Sequence, residues 1–504
     1  MSKKMLLCIF VAMLQVTITL CPEPVRAQAG FEDDRVMLQG FYWESYRHGH
    51  PDKFPGYGTK GWYQIVAEQA PAIRQGRFDL IWLPPPSFAG AHSAGYNPKE
   101  YFNLSNSYGD VAQHLSMLAS LLGNGVEPVA DVVINHRDGS QRWADFKNPD
   151  WGTWAVTRGD ESFTNANSEV FDTPENERGA AEERPVEYAP HGGTTYAYGS
   201  FRDIDHTSER VRRDIIRHLL QLKSAGYRGW RYDMVHGYHA RWIAVYNRAS
   251  APTFSVGEYD WDKPHEQRGW VWHTATVTGR LDTASSVFDF MTMFHLKDNK
   301  SNYAARYDSG RGIVGDATDG HAWKNRAVTF LENHDTGYRT NEDGTPQQGH
   351  ESDSFANGWE VEQGYAHILT HPGVPTVYWK HYFDWGPDLR EKIRAMINAR
   401  KVAGVHAGSG VHLQDNARTA GVYAARIMGR NGDLYVRIGG DDGAWQPLHS
   451  GYQNYRQYGD GAGWKIWVGL PGNPEFQEAP LRETLPISAY QEPQTIDVPD
   501  RLLN

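Results

Sequence analysis

Short apolar runs of strand length recur along the chain, and stretches with helical periodicity separate them. Nearly continuous apolar runs are typical of strands buried on both faces of a parallel sheet. The intervening stretches 114–125 and 208–226 each end in a glycine, as helices often do. We predict strands at 36–43, 78–84, 127–135, 229–233, 253–259, 286–290, 327–333 and 374–379. This succession of strands and helices predicts an α/β fold, the (β/α)8 TIM barrel.

Two regions depart from the alternation. Residues 137–206 are rich in Gly, Pro, Asn and charge, and they are too long for a structureless loop in a compact domain. We therefore expect an inserted domain B after the third strand, with the barrel formed by 28–136 and 207–401. Residues 402–469 alternate with period two between Gly, Asp and Asn turns, which predicts a C-terminal antiparallel β-sandwich domain. The remaining segment, 470–504, is an extension of unknown role.

The first 27 residues have the pattern of a secretory signal peptide. Lys3 and Lys4 precede an apolar stretch, and residues 25–27 offer small side chains for cleavage. A membrane anchor is the alternative, but the apolar run is short and is interrupted by Gln15 and Thr17. We expect a secreted protein, extracellular or periplasmic, with no membrane association after cleavage.

Composition and charge indicate which kinds of molecule the protein can bind. Cys8 and Cys21 both lie in the predicted signal, so the mature protein would contain no disulfide. The chain has a net charge of −11, and loss of the signal, which carries +2, would leave −13. Such a charge disfavours nucleic acid and favours a neutral polymer. The 18 Trp and 27 Tyr supply flat rings that either fill the core or pack against sugars.

Four of the predicted strands lead into dense clusters of polar residues. They read DVVINH (131–136), GWRYD (229–233), SVGEYD (255–260) and FLENHD (330–335). Because the C-terminal ends of barrel strands meet on one face, these clusters should form one site. The residues brought together would be Asp233, Glu258, Asp335, Arg231, His136 and His334. Two carboxyl groups that act as acid and nucleophile carry out glycoside hydrolysis.

The spacing of these residues suggests different tasks for the carboxyl groups. Arg231 and Asp233 are two apart on a strand and share a face, so the guanidinium favours the ionised carboxylate that a nucleophile needs. A structural ion pair is the alternative. Glu258 would need a raised pKa to act as an acid, which burial or the charges of Asp233 and Asp335 can supply. A glutamate that starts a helix is the alternative there.

These segments resemble the conserved regions of the α-amylase family, glycoside hydrolase family 13. LQGFYWES (38–45), GYNPKEYF (95–102) and DIDH (203–206) agree with the same family. The segments are most similar to those of plant-type α-amylases and bacterial maltooligosaccharide-forming amylases. The resemblance implies a secreted, monomeric α-amylase that hydrolyses internal α-1,4 bonds of starch or glycogen with retention of configuration. A maltooligosaccharide-forming enzyme is one form of this activity.

The resemblance also implies a role for each site residue. Asp233 would be the nucleophile, Glu258 the general acid and base, and Asp335 the transition-state stabiliser. The substrate-binding residues implied by the family are Arg231, which orients Asp233, His136 and His334, which hold sugar hydroxyls, and Tyr96, which stacks on a sugar ring.

A structural Ca²⁺ between domain B and the barrel is a further implication of the resemblance. Asn135 and Asp203 match side-chain ligands and Gly237 matches a backbone-carbonyl ligand, and such oxygens suit a hard cation. The second aspartate that plant relatives carry in domain B has no counterpart here, and Asp172 and Glu187 are candidates to replace it.

Two other functions are compatible with the same segments. A transglycosylase would use the same covalent intermediate, with a sugar hydroxyl in place of water as the acceptor. A non-catalytic starch-binding protein on a degenerate barrel is the other alternative, and the three intact carboxyl residues argue against it.

Overall fold

The protein is described by a computed structural model. It covers residues 32–139, 146–157, 201–259, 264–275, 283–298, 307, 312–314, 323–341, 345–347, 355, 357–440, 444–447, 455–472 and 475–503. The predicted signal peptide and most of the predicted domain B lie outside these residues.

Eight parallel strands close into a barrel in which each strand pairs with the next and the last pairs with the first. They are β1 Met37–Gln39, β2 Leu80–Leu83, β3 Glu127–Val132, β4 Gly229–Tyr232, β5 Phe254–Gly257, β6 Ser286–Phe288, β7 Ala327–Thr329 and β8 Val374–Tyr378. Each lies inside one of the predicted runs. The predicted runs extend beyond the strands at one or both ends. The predicted barrel fold is confirmed.

A helix follows each strand of the barrel. The helices are α1 Trp62–Gln75, α2 Val111–Gly123, α3 Glu209–Ala225, α4 Arg241–Ser250, α5 Pro264–Thr274, α6 Phe290–Asp298, α7 Gly358–Ile368 and α8 Pro387–Ala403. Asp110 caps α2, since its carboxylate accepts from the backbone amide of Gln113 at 2.8 Å. In turn the Gln113 side-chain oxygen accepts from the backbone amide of Asp110. Within the described residues, no helix is long and apolar enough to cross a membrane.

The layer between strands and helices is closely packed. Trp62, Trp230 and Trp270 are almost fully buried. A Cβ atom at Gly257 would lie only 2.3 Å from the ring of Trp270, so α5 can approach β5 this closely only because that position has no side chain.

The chain leaves the barrel after β3 and returns to the same place. His136–Arg137 pairs antiparallel with Arg202–Asp203, and this short ladder closes the base of the excursion. The predicted boundaries of domain B, 137–206, stay a prediction, since most of that range lies outside the described residues.

The C-terminal region forms an antiparallel sheet, as predicted. Its strands are β9 Gly410–Leu413, β10 Tyr423–Met428, β11 Asp433–Ile438, β12 Tyr455–Gly461 and β13 Trp464–Gly469, in the order β9-β10-β11-β13-β12. Within the described residues it is a single sheet. One face, with Val436 and Ile466, joins the main core, and α7 and α8 pack against the sheet; Tyr435 and Trp467 on the other face form a small separate cluster.

The tail 475–503 returns to the barrel and crosses its N-terminal face. Arg77 before β2 donates to the carbonyl of Ala479 at 3.0 Å, and Leu485 donates to the carbonyl of Leu122 at 2.9 Å. Ile496, Val498 and Leu503 of the tail are buried. Arginine side chains of α3 bind the carbonyl groups of Ile496, Val498 and Leu503, so the end of the tail runs along this helix toward its first turn.

Candidate active site

One arginine joins the carboxyl groups at the ends of three neighbouring strands. Arg231 Nη1 lies 2.7 Å from Asp131 Oδ1 and 2.6 Å from Asp233 Oδ1, and its Nη2 lies 2.9 Å from Glu258 Oε1. The Arg231 side chain is 1% exposed. The guanidinium therefore holds three carboxyl groups in a fixed arrangement at the C-terminal face of the barrel.

The backbone continues the barrel ladder just past the strands and so fixes these side chains. Asp233 donates its amide to the carbonyl of Val132 at 3.1 Å, and Glu258 donates to the carbonyl of Tyr232 at 2.9 Å. The chain then turns at Met234, whose φ of 42° lies in the left-handed region that non-glycine residues rarely adopt. The Met234 amide donates to Glu258 Oε2 at 3.0 Å. The strained turn thus holds the two predicted catalytic carboxyl groups together.

Burial and neighbouring charges shift the pKa values of the aspartates in this cluster. Burial raises the pKa of Asp233 well above its ordinary value, Arg231 opposes this, and the charges of Glu258 and Asp131 add to it. Burial likewise raises the pKa of Asp131 to about 6 against the opposing effect of Arg231. Arg231 favours the ionised form, as predicted, but burial and the neighbouring carboxylates outweigh it. The protonation of Asp233 therefore depends on the charge of Asp131.

Asp335 and His334 follow β7 on the other side of the face. His334 Nε2 lies 3.2 Å from Asp335 Oδ2, and the amide nitrogen of Gln39 lies 3.0 Å from His334 Nδ1. Because an amide NH₂ group can only donate, Nδ1 accepts and Nε2 carries the ring proton. Burial lowers the pKa of His334 well below its ordinary value, so the ring is neutral.

Parallel aromatic rings connect the two sides. The rings of Tyr96 and His334 stack at 5.0 Å, and Trp43 lies parallel to Tyr96 at 5.9 Å. The Tyr96 hydroxyl donates to Asp131 Oδ2 at 2.8 Å. His136, also predicted for the site, is buried, and its Nε2 lies 2.7 Å from the carbonyl oxygen of Tyr96. His136 therefore supports the backbone of Tyr96.

Three residues of the site were not singled out from the sequence. Asp131 stands inside an apolar run and pairs in register with Arg231, and a charged residue buried in such a run is the signal that marks it. Trp43 lies in the LQGFYWES segment. Arg339 follows Asp335 by four residues and contacts it at 2.6 Å, which no pattern in the sequence indicates.

The residues predicted to bind calcium also come together. Asn135 Nδ2 lies 3.4 Å from Asp203 Oδ1, and a Cβ atom at Gly237 would lie 2.0 Å from Asn135 Oδ1. Asn135 Oδ1 and Thr157 Oγ1 are buried without a hydrogen-bond partner, and both residues line a cavity of about 10 Å³ together with Asp203 and Gly237. A cavity of this size holds about one water molecule or ion. These oxygens fit a hard cation.

This set of oxygens is not a complete shell. Ca²⁺ takes about six to eight oxygen ligands, so backbone carbonyls, water or residues beyond the described part must supply the rest. The part of the chain that the structure describes contains no group of three or more His, Cys, Asp and Glu side chains placed to hold a metal. Asp172 and Glu187, the candidates for the missing ligand, lie outside the described residues.

Family models match two parts of the chain. Residues 41–316 match the α-amylase catalytic domain, and residues 402–468 match the α-amylase C-terminal β-sheet domain.

Curated relatives of the chain come from plants and bacteria. It is 32% identical to chloroplastic α-amylase 3 of Arabidopsis thaliana over 87% of this chain, but spans only 44% of that relative's length. It is 31% identical to probable α-amylase 2 of the same plant, covering 82% of this chain and 89% of the relative. It is 30% identical to glucan 1,4-α-maltotetraohydrolase of Roseateles saccharophilus, covering 82% and 70% respectively.

Solved structures agree on the fold. A cyclomaltodextrin glucanotransferase with a three-domain ABC distribution superposes with a TM-score of 0.59 at 14% identity, covering 87% of this chain and all of the other. The α-amylase of Geobacillus thermoleovorans in complex with acarbose gives a TM-score of 0.57 at 13% identity, covering 86% and 98%. The catalytic-domain match spans more than half of the chain. The chain therefore belongs to the α-amylase family of glycoside hydrolases.

Proposed function

We propose that the protein is an α-amylase that hydrolyses α-1,4-glucosidic bonds of starch or glycogen with retention of configuration. The observation that carries the proposal is the contact of one guanidinium, that of Arg231, with Asp233 through Nη1 and Glu258 through Nη2. Retaining enzymes keep their two carboxyl groups roughly 5 to 5.5 Å apart. Two carboxyl groups bound to the two ends of one guanidinium can meet that spacing.

The reaction divides between these carboxyl groups. The ionised Asp233 attacks the anomeric carbon while Glu258, in its acid form, gives its proton to the glycosidic oxygen, and the bond between the two sugars breaks. Glu258, now ionised, then takes a proton from water, and the hydroxyl displaces Asp233 to release the sugar. Asp335 stabilises the positive charge that develops on the sugar ring in both steps. Arg231 keeps the two reacting groups in place throughout.

Arg231 is the group that favours the reactive form of Asp233. Burial raises the pKa values of Asp131 and Asp233, and the negative charge of Asp131 adds to the rise at Asp233, while Arg231 opposes both shifts. The attack on the sugar needs the ionised form of Asp233. The guanidinium therefore makes this form available inside a buried site.

The aromatic rings and the oxygen site supply binding and support. Tyr96 and Trp43 present parallel rings, which suit the apolar faces of sugar units. Ca²⁺ held by Asn135, Asp203 and Gly237 would have a structural role, tying the base of domain B to the barrel. The leader pattern of residues 1–27 supports export, and we propose that the mature enzyme acts outside the cytoplasm as a monomer.

The decisive test is the configuration of the first product. Proton NMR during hydrolysis of maltoheptaose should show the α-anomer before mutarotation, and a β-anomer would contradict the retaining mechanism. Asp233→Asn and Glu258→Gln should each lower starch hydrolysis by about three orders of magnitude or more while the fold is kept. Glu391→Gln changes an exposed ion-paired carboxyl on α8 and serves as the matched control. Near-normal activity of either site variant would refute the assignment.

A further inference from the structure

Arg339 reaches back to the carboxylate of Asp335 across one turn of chain. Its Nη2 donates to Asp335 Oδ1 at 2.6 Å, and its Nε donates to the carbonyl of His334 at 3.1 Å. The centre of its guanidinium lies 4.1 Å from the centroid of the Trp43 ring. The Arg339 side chain is 12% exposed. It is therefore packed into the wall of the site.

The backbone beside Arg339 is fixed by buried charged residues from other loops. The Thr340 amide donates to Glu44, and Arg47 Nη1 donates to the carbonyl of Thr340 at 2.8 Å. Lys380 donates to the carbonyl of Tyr338 at 2.6 Å and lies 3.2 Å from Glu44. Since the Glu44 side chain is 1% exposed, its bond with the Thr340 amide is protected from water. The backbone on both sides of Arg339 is therefore fixed, and this fixes the position from which the Arg339 side chain extends.

Each oxygen of the Asp335 carboxylate has a nitrogen nearby. Oδ1 accepts from Arg339, and Oδ2 lies 3.2 Å from Nε2 of His334. A carboxylate side chain that is 33% exposed would otherwise sample several rotamers. The hydrogen bond from Arg339 selects one of them. A charge-assisted bond of this length is among the stronger ones in proteins.

We propose that Arg339 is a positioning residue for Asp335. It fixes the carboxylate in the orientation in which Asp335 faces the developing positive charge, and the Trp43 ring supports the guanidinium from the side. This role rests on the proposed function of Asp335. A carboxylate that is already oriented does not have to turn during the reaction, which lowers the activation free energy. A displacement of about 1 Å in such a group can lower the rate by about 100-fold.

A gating role would give a different outcome. If Arg339 occupied the place of the sugar and had to be displaced, its removal would improve substrate binding. A positioning role predicts a loss in kcat with little change in KM, because the substrate binds normally but the transition state is stabilised less well.

The test compares Arg339→Met with Arg339→Lys in the full-length enzyme, with maltoheptaose as substrate. The methionine variant should lower kcat by about 10- to 100-fold and change KM by less than about 3-fold. The lysine variant keeps the charge and the packing on Trp43 and should recover part of kcat. Arg426→Met removes an arginine from an Arg–Asp pair of 2.7 Å in the C-terminal sheet and should leave kcat unchanged.

A second comparison separates this inference from the proposed function. In an Asp335→Asn background, assayed with a nitrophenyl maltooligosaccharide, Arg339→Met should have less than about a twofold effect because the two residues act together. Full activity of Asp335→Asn alone would overturn the proposed role of Asp335. If Asp335→Asn is inactive but both Arg339 variants keep a normal kcat, the role of Arg339 alone is overturned. A lowered KM with unchanged kcat in the Arg339 variants would overturn it as well. If the methionine variant fails to fold, the lysine variant and its double variant decide the question.

Discussion

Arg231 and Asp131 stand opposite one another in the β3–β4 ladder, and Nη1 of the arginine donates to Oδ1 of the aspartate at 2.7 Å. The same Nη1 also donates to Oδ1 of Asp233. Asp131 therefore competes with the proposed nucleophile for one donor while its negative charge raises the pKa of that nucleophile. This makes Asp131 a means of tuning the pH dependence of the enzyme.

Replacing Asp131 by asparagine should move the acidic limb of the kcat/KM profile to lower pH. The amide carries no negative charge, so the pKa of Asp233 falls, and Arg231 becomes free to bind Asp233 more strongly; both effects act in the same direction. The pH profile of maltoheptaose hydrolysis measures this shift. An acidic limb that stays at the same pH or moves to higher pH would show that the charge of Asp131 does not raise the pKa of Asp233.

Replacing Arg231 by methionine should destabilise the protein in a pH-dependent manner. Removal of one partner from a buried charge cluster costs about 3 to 5 kcal/mol. With the arginine gone, burial raises the pKa values of the carboxyl groups further, and the folded state binds more protons than the unfolded state. The loss should therefore be larger at about pH 8 than at about pH 5, where the neutral acids are populated.

Urea unfolding at the two pH values tests this prediction, with Arg394→Met as the control, because Arg394 on α8 is partly exposed and pairs with the exposed Glu391. An equal loss at both pH values would show that packing, and not charge, is the main contribution of Arg231.

Removal of calcium should lower the melting temperature of the wild-type protein. A ligand that binds only the folded state stabilises it by mass action, and a chelator removes this contribution. Asn135→Ala deletes the buried unpaired oxygen of the cavity, so this variant should melt earlier and respond less to the chelator. Metal analysis of the purified protein accompanies the melts. A protein with no bound metal and an unchanged melting temperature would exclude the site.

Deletion of residues 475–504 should destabilise the barrel while leaving the chemistry intact at low temperature. Burial of each large apolar side chain, such as Ile496 or Val498, contributes roughly 1.5 to 3 kcal/mol, and the hydrogen bonds of the tail go to the N-terminal face and to α3 rather than to the carboxyl cluster. Thermal melts and kcat of the truncated protein measure the two effects.

Point variants within the tail refine that experiment. Val498→Ala changes a buried residue and should lower the melting temperature, whereas Ile487→Ala changes a residue that is 58% exposed and should not. Equal effects of the two variants would mean that the tail is not held by its buried side chains.

The barrel was predictable because each strand carries its own signal, an apolar run of strand length between stretches with helical periodicity. The contact of Asp131 with Arg231 was not, because strands buried on both faces lack the polar alternation that specifies register. Arg339 escaped prediction for a different reason, since its position depends on Glu44 and Lys380, which are distant in sequence. The path of the tail has no periodicity and is set by the arginines that bind its carbonyl groups.

The path of residues 475–503 also determines how the C-terminal sheet can move. The sheet is preceded by α8, which packs against β12 and β13, and is followed by the tail, which is bonded to the barrel. A domain attached through one linker can swing about it, whereas a domain secured at both ends has no single hinge. The sheet should therefore travel with the barrel as one rigid body. Any opening of the cleft for a long glucan chain must then come from the loops around the strand ends.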